Sequence, residues 1–169
     1  MKTLGIAMLM CACVFSGFFL GSAGFARTKT LEAMLLFLSS IRREMLYRRT
    51  PLTAILSEAC ERAELKKLAF LPVCAELFGA GMPFSEAWRT ALGEKGSAML
   101  FNPEDIRLLC AFGDALGTTD CDGQLSLIDD YSGILDLRLK QAREDTKKYG
   151  RLCKSLGILA AAGVAVIFI

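Results

Sequence analysis

The chain has 169 residues, 53% of them hydrophobic, and a mean hydropathy of +0.41, which is high for a domain that lives wholly in water. Its net charge of +2 is nearly balanced, so no basic face argues for nucleic acid. Histidine is absent, which removes the commonest general base, the usual catalytic triads and most zinc and haem ligation.

The apolar excess sits at the two ends. Leu4–Ala26 carries no charge and is long enough to cross the hydrocarbon core, which takes about 20 helical residues. A cleaved signal peptide is the rival reading, since Lys2 gives a basic start and Ala23–Ala26 offers small residues for cleavage. The apolar region is longer than the usual signal core of about 7–15 residues, which favours a retained anchor. A lipoprotein site at Cys11 fits less well, because Met10 is a poor small-residue match. Gly17 and Gly21, with Gly24 one turn on, form a small-residue stripe of the kind that lets membrane helices approach closely.

The central region, residues 27–154, reads as helices. Leu31, Met34, Leu35, Leu38, Ile41 and Met45 recur at three- and four-residue intervals, the apolar face of a helix that continues the first span. Thr50-Pro51 starts a second helix running to about Arg62, with Thr50 as N-cap and Pro51 at the first helical position. A third covers about Leu65 to Phe78 and stops at Gly79-Ala80-Gly81. Met82-Pro83 opens a short helix through Trp88 and Leu92, and Gly93–Ala98 is expected as a loop. Asn102-Pro103-Glu104-Asp105 opens another, to Leu116, with acidic residues in its first turn. After Leu116-Gly117 comes a polar turn, Thr118–Gly123, with Asp120 as a candidate N-cap, and a last helix runs from Gln124 to the end. No stretch alternates with period two over five or more residues, so no sheet is expected.

The terminal stretch, Ser155–Ile169, is short for a full span. It crosses if residues from Tyr149 onward contribute and Arg151 and Lys154 snorkel to the interface. Gly157 and Ala161 repeat the small-residue spacing, so the spans are suited to pack on each other or on a second copy, as a homo-oligomer. Arg27, Lys29, Arg42 and Arg43 follow the first span, and Lys147, Lys148, Arg151 and Lys154 precede the second. The positive-inside rule therefore places the central region in the cytoplasm. The expected architecture is all-α: a bundle of about six helices, residues 27–154, flanked by transmembrane helices in residues 1–26 and 155–169.

Cysteine usage agrees with a reducing compartment. Five of the seven, Cys60, Cys74, Cys110, Cys121 and Cys153, scatter through the central region without a C-x-x-C pair, and read as small buried hydrophobes. No phosphate loop appears, and Gly93-Glu94-Lys95-Gly96 lacks the spacing of one. Asp120-Cys121-Asp122-Gly123 lacks the glycine and glutamate of a calcium loop, and Asp129-Asp130 reads as a solvated face. No catalytic residue, metal ligand or cofactor site is assigned.

Three segments carry a resemblance. Glu44-Met45-Leu46-Tyr47-Arg48-Arg49-Thr50-Pro51-Leu52 matches the E-x-x-Y-x-x-T-P-L signature of the stage III sporulation protein AB family of endospore-forming bacteria. Phe112-Gly113-Asp114-Ala115-Leu116-Gly117-Thr118-Thr119-Asp120, followed by Gln124, is similar to that family's F-G-x-x-L-G-x-x-D-x-x-x-Q segment. Gly81-Met82-Pro83-Phe84-Ser85-Glu86-Ala87-Trp88 resembles the G-x-P-x-x-E-A element shared with the type II secretion F domain. Together they span essentially the whole chain.

The resemblance implies an F-like helical bundle on the mother-cell side of the membrane around the forespore. It implies a non-enzymatic role in a channel apparatus linking the two cells. The partners implied are that apparatus's secretion-type ATPase, stage III sporulation protein AA, and its other membrane subunits. No cofactor or small-molecule substrate is implied.

Physical roles for the matched residues stay modest. Glu44 and Tyr47 share a helix face and suit two readings, an ordered junction with the helix after Thr50 or a surface Glu44–Arg48 ion pair. Thr50 and Pro51 are expected as a cap leading into Leu52, and Trp88 as core. Gly113 suits close helix approach, Leu116-Gly117 a helix stop, and Asp120 with Gln124 the start of the last helix. Two other classes stay open: a secreted helical protein with a cleaved leader, and a small membrane enzyme, for which no acidic or cysteine cluster beside a span is found.

Overall fold

In the computed structural model the backbone is described for residues 2–48, 50–96 and 101–168, and side chains for residues 25–48, 50–96 and 101–148. Six α-helices follow one another: α1 Lys2–Tyr47, α2 Leu52–Glu61, α3 Phe70–Gly79, α4 Phe84–Lys95, α5 Pro103–Ala115 and α6 Cys121–Phe168. A single 3-10 turn, Ala63–Leu65, lies between α2 and α3. There is no strand among the described residues, as the missing period-two patterning anticipates. The chain divides into two compact units, residues 1–26 with 140–169, and residues 27–139.

The expected membrane segments, Leu4–Ala26 and Ser155–Ile169, fall within α1 and, as far as Phe168, within α6, but outside the residues whose side chains are described, Phe25 and Ala26 excepted; Ile169 lies outside the described residues. Among the described residues no helix is long and apolar enough to cross a membrane.

Within the second unit the helix boundaries follow local chemistry. Gly81 takes a φ of 95°, which a side chain would strain, and its amide donates to Phe78 while that of Met82 donates to Leu77. This is the paired closure of a Schellman motif, and Pro83 then launches α4. Gly117, with φ 90°, ends α5 in the same conformational region. At the start of α5, Asn102 and Asp105 form a capping box with Pro103 at the first helical position.

Three boundaries differ from the sequence reading. α3 begins at Phe70 rather than about Leu65, because Pro72 has no amide to give and its ring would clash with the Leu68 carbonyl in a helix already under way. With the start at Phe70, Pro72 falls in the first turn, where the amide has no partner anyway. α4 continues through Gly93 to Lys95 instead of opening into a loop at Gly93, and Lys95 favours the negative end of the helix dipole. Residues 97 and 98 of that expected loop lie outside the described residues. α6 starts at Cys121, three residues before Gln124.

The core is centred on Trp88, which is wholly buried. Its ring meets Phe37 of α1, Phe70 of α3, Phe84 of its own helix and Phe112 of α5, with centroids 6.1, 4.8, 5.4 and 5.8 Å away. Phe112 in turn packs edge-on against Tyr131 of α6 at 5.4 Å. The indole N–H donates to the Leu109 carbonyl at 2.7 Å, so the ring buries its polar atom satisfied. Space for it is made by Gly113, where a Cβ would lie 2.1 Å from the indole. α1 is buried on most of its circumference here, with Leu31, Met34, Phe37, Leu38 and Ile41 fully covered.

Candidate functional site

Two clusters of charged residues sit on the part of α1 that belongs to the second unit, one at each end. Arg27 and Glu44 are about 25 Å apart along the helix axis at 1.5 Å per residue.

At the Arg27 end the centre is Asp105, which is 0% exposed. One carboxylate oxygen accepts from Nε and Nη2 of Arg27 at 3.0 and 2.8 Å and from the Asn102 amide at 3.1 Å. The other accepts from Nη1 of Arg138 at 3.1 Å, and that nitrogen also reaches Glu104 at 3.2 Å. A single carboxylate thus ties α1, the first turn of α5 and α6 together. Among the described residues no buried side-chain nitrogen or oxygen lacks a hydrogen-bond partner. Burying such a group costs several kcal/mol unless it is paired and hydrogen-bonded, and here both carboxylate oxygens have charged partners.

At the other end, Arg43, Glu44 and Tyr47 of α1 and Arg48 just beyond it face Glu58 of α2 and Arg62 at its C-cap across an open groove of about 270 Å³. Glu44 is buried. Its carboxylate accepts from the Thr50 hydroxyl at 3.2 Å, while Arg48 approaches no closer than 3.7 Å. On the far wall Arg62 donates to Glu58 at 2.6 Å. The Arg62 hydrogen bond and charge hold the Glu58 carboxyl below the usual carboxylate range, and Arg48 and Arg43 add to the effect. Tyr47 is 77% exposed and Arg48's side chain 71%. Leu46 beside them is exposed as well.

The signature residues therefore divide. Thr50 is not the N-cap of α2: Pro51 occupies that place and no side chain caps the helix, because the Thr50 hydroxyl is taken by Glu44 six residues back. The Pro51 carbonyl receives the amides of Ala54 and Ile55, and Leu52 opens the helix. Of the two readings for Glu44, the junction with Thr50 is the shorter contact, the pair with Arg48 is also present, and Tyr47 joins neither.

In the second motif, Gly113 seats the indole and Leu116 is buried. The Asp120 carboxylate caps α6 by accepting from the Gly123 amide at 3.1 Å, and the Gln124 side-chain amide donates to the Thr119 carbonyl at 2.8 Å. In the third, Gly81 and Pro83 shape the α3–α4 turn and Trp88 is the core.

The remaining polar features are pairings rather than sites. Asp129, expected as part of a solvated face, accepts from Arg42 at 2.6 and 3.1 Å, and this raises the Arg42 pKa above its ordinary value. Of the cysteines with described side chains, Cys74 is buried and burial pushes its thiol up to about 12. Burial also raises Cys60 and Cys110, which are half-buried. Cys121 is exposed at the first position of α6, against the expectation that it is a buried hydrophobe, because the preceding turn leaves that end of the helix in solvent. Cys153, Cys11 and Cys13 lie outside the residues whose side chains are described. Among the described residues no group of three or more Cys, Asp or Glu is placed to hold a metal ion.

The Asp105 cluster was not visible in the sequence. Asn102 and Asp105 are spaced as a capping box, but the arginines that complete the cluster lie 78 and 33 residues away.

A family model described as stage III sporulation protein AB matches residues 2–169. The chain is also similar to a protein named Stage III sporulation protein AB from Bacillus subtilis (strain 168). The two are 25% identical over 161 residues, which cover 95% of this chain and 94% of the relative. No solved structure matches.

Proposed function

The chain belongs to the stage III sporulation protein AB family and so has a role in sporulation, and from this premise we propose that it is a non-enzymatic, membrane-anchored platform whose helical unit docks a cytosolic ATPase. The apparatus is a secretion-like channel between mother cell and forespore. The ATPase is its secretion-type motor, stage III sporulation protein AA, and the bundle is of the type II secretion F kind.

Anchoring rests on the uncharged stretches Leu4–Ala26 and Ser155–Ile169, which lie at the outer ends of α1 and α6. The anchors sit in the membrane around the forespore, with the second unit on the mother-cell side, where the flanking lysines and arginines belong.

The observation that carries the docking role is how the signature residues are used. Gly81, Pro83, Trp88, Gly113, Leu116, Gly117, Asp120 and Gln124 are taken up by turns, caps and core. Tyr47 has no such employment. It projects into solvent at the end of α1, beside Leu46, Arg43 and Arg48. A large ring in water with cations around it is the composition of a protein contact, where Tyr and Arg are enriched.

The test is a binding titration of the full chain, held in nanodiscs, against the purified ATPase. Saturable binding that charge reversal on one exposed face removes is the expected result. A folded, helical chain that captures no ATPase would sink the platform reading.

A further inference from the structure

We infer that the groove between the last turn of α1 and α2 receives an acidic peptide segment of a partner protein, its carboxylates held by Arg43 and Arg48 and an adjoining apolar side chain laid on Tyr47. This rests on the docking role proposed above and gives that role a place and a chemistry.

The charge arithmetic of the groove is the first ground. Among the described residues, three guanidinium groups and two carboxylates line it. Glu58 is matched by Arg62 at hydrogen-bond distance, and Glu44, although bonded to the neutral Thr50 hydroxyl, keeps its charge, so these residues leave the groove one positive charge in excess. Arg48 stands 3.7 Å from Glu44, well beyond the roughly 2.8 Å of a charge-assisted hydrogen bond. Arg43 has no carboxylate within ion-pair distance among the described residues. Arg43 is therefore open to a carboxylate, and Arg48, exposed and held only by that long ion pair, can turn to a second, each guanidinium having the planar fork that receives a carboxylate bidentately.

The second ground is what lies between them. Leu46 and Tyr47 are exposed at the same helix end, so a segment with only charge would leave that surface wet. A peptide that alternates carboxylates with an apolar residue covers both. With one positive charge in excess among these residues, the groove is matched to one or two spaced carboxylates rather than to a dense polyanion such as a nucleotide polyphosphate. At about 270 Å³ and open to solvent, the groove is also smaller than most small-molecule pockets, which run from about 300 Å³ upward.

The experiment uses the full chain in nanodiscs and two probes. One is a fluorescein-labelled, capped Glu-Leu-Leu-Glu peptide followed by anisotropy, with its glutamine counterpart as control; the other is the ATPase. The variants are Tyr47→Ala and the pair Arg43→Glu with Arg48→Gln, all at exposed side chains, each compared with wild type by circular dichroism before titration. Arg107→Glu, exposed on α5 and outside the groove, is the charge control.

The expected result is saturable binding of the glutamate peptide, roughly tenfold weaker or worse in both groove variants, retained by the control and absent for the glutamine peptide. Peptide binding that is missing altogether, or equal in all variants, overturns the inference. So does displacement of the peptide by an equal concentration of inorganic phosphate, which would mark a plain anion site. ATPase that binds wild type and groove variants alike also overturns it while leaving the platform reading intact. ATPase that binds none of them sinks the platform, and the peptide titration then decides the groove by itself.

Discussion

The two ends of the described stretch of α1 are built from the same residue types and have opposite characters. At one, Arg27 and Arg138 close on Asp105, both oxygens of the buried carboxylate are paired, and three helices are joined. At the other, Arg43, Glu44, Tyr47, Arg48, Glu58 and Arg62 surround open space, with the ring and two of the cations in solvent. What separates them is desolvation. A carboxylate deprived of water must be met by several donors in fixed geometry, whereas exposed ion pairs are screened and contribute about 0–1 kcal/mol. The same arginine chemistry that locks helices together in the first setting is left free to meet another molecule in the second.

Substitutions can break this contrast in order of size. Asp105→Ala strands two guanidinium groups and removes half of the α5 capping box, and should cost about 3 kcal/mol in a denaturant melt, the low end of the range because both arginines keep some water contact. A loss below about 1 kcal/mol would mean that the cluster is not the tie described.

Next comes Gly113→Ala. Its new methyl must displace the indole, for an expected cost of about 1–3 kcal/mol with a shift in near-ultraviolet circular dichroism. Glu44→Ala, which leaves the Thr50 hydroxyl without its acceptor, should cost about 1 kcal/mol. Tyr47→Ala and Arg48→Ala should stay within about 0.5 kcal/mol of wild type while changing partner binding. A clear loss of stability at Tyr47 would contradict the division between structural and contact residues.

The cysteines offer the mildest test. Cys121 should be alkylated readily at pH 8 and Cys74 should not, as read peptide by peptide in a mass spectrometer. The folded pKa of Cys74 is raised, so its burial is without penalty below the unfolded value of 9.0, and stability falls as pH rises from there toward about 12.

Much of the helical order could be read from local signals. Pro83, Pro103 and Gly117 each mark a boundary through a property of their own backbone, so no knowledge of distant residues is needed. Thr50 misleads for the opposite reason. Its residue type and position suit a cap, but a carboxylate six residues earlier competes for the hydroxyl once α1 and α2 are joined. Pro72 carried a usable signal for the start of α3, since an interior proline is incompatible with a helix begun at Leu65. The Asp105 cluster had none, because which arginine closes on which carboxylate is decided by packing across the bundle. The signature residues around Tyr47 could be picked out in the chain, but their separation into a buried Glu44 and an exposed Tyr47 depends on where α2 lies.

The chain contains a single tryptophan, and it is the ring that Gly113 makes room for. Excitation at the red edge of the absorption band therefore interrogates one chromophore, sealed from water and touched by side chains of four helices. Its emission should be blue-shifted and resistant to iodide or acrylamide quenching. A ligand that loosens the bundle would shift that emission to the red, whereas one that settles beside Tyr47 would leave it unchanged. The protein thus carries a built-in optical gauge that separates opening of the bundle from contact at its edge without any added label.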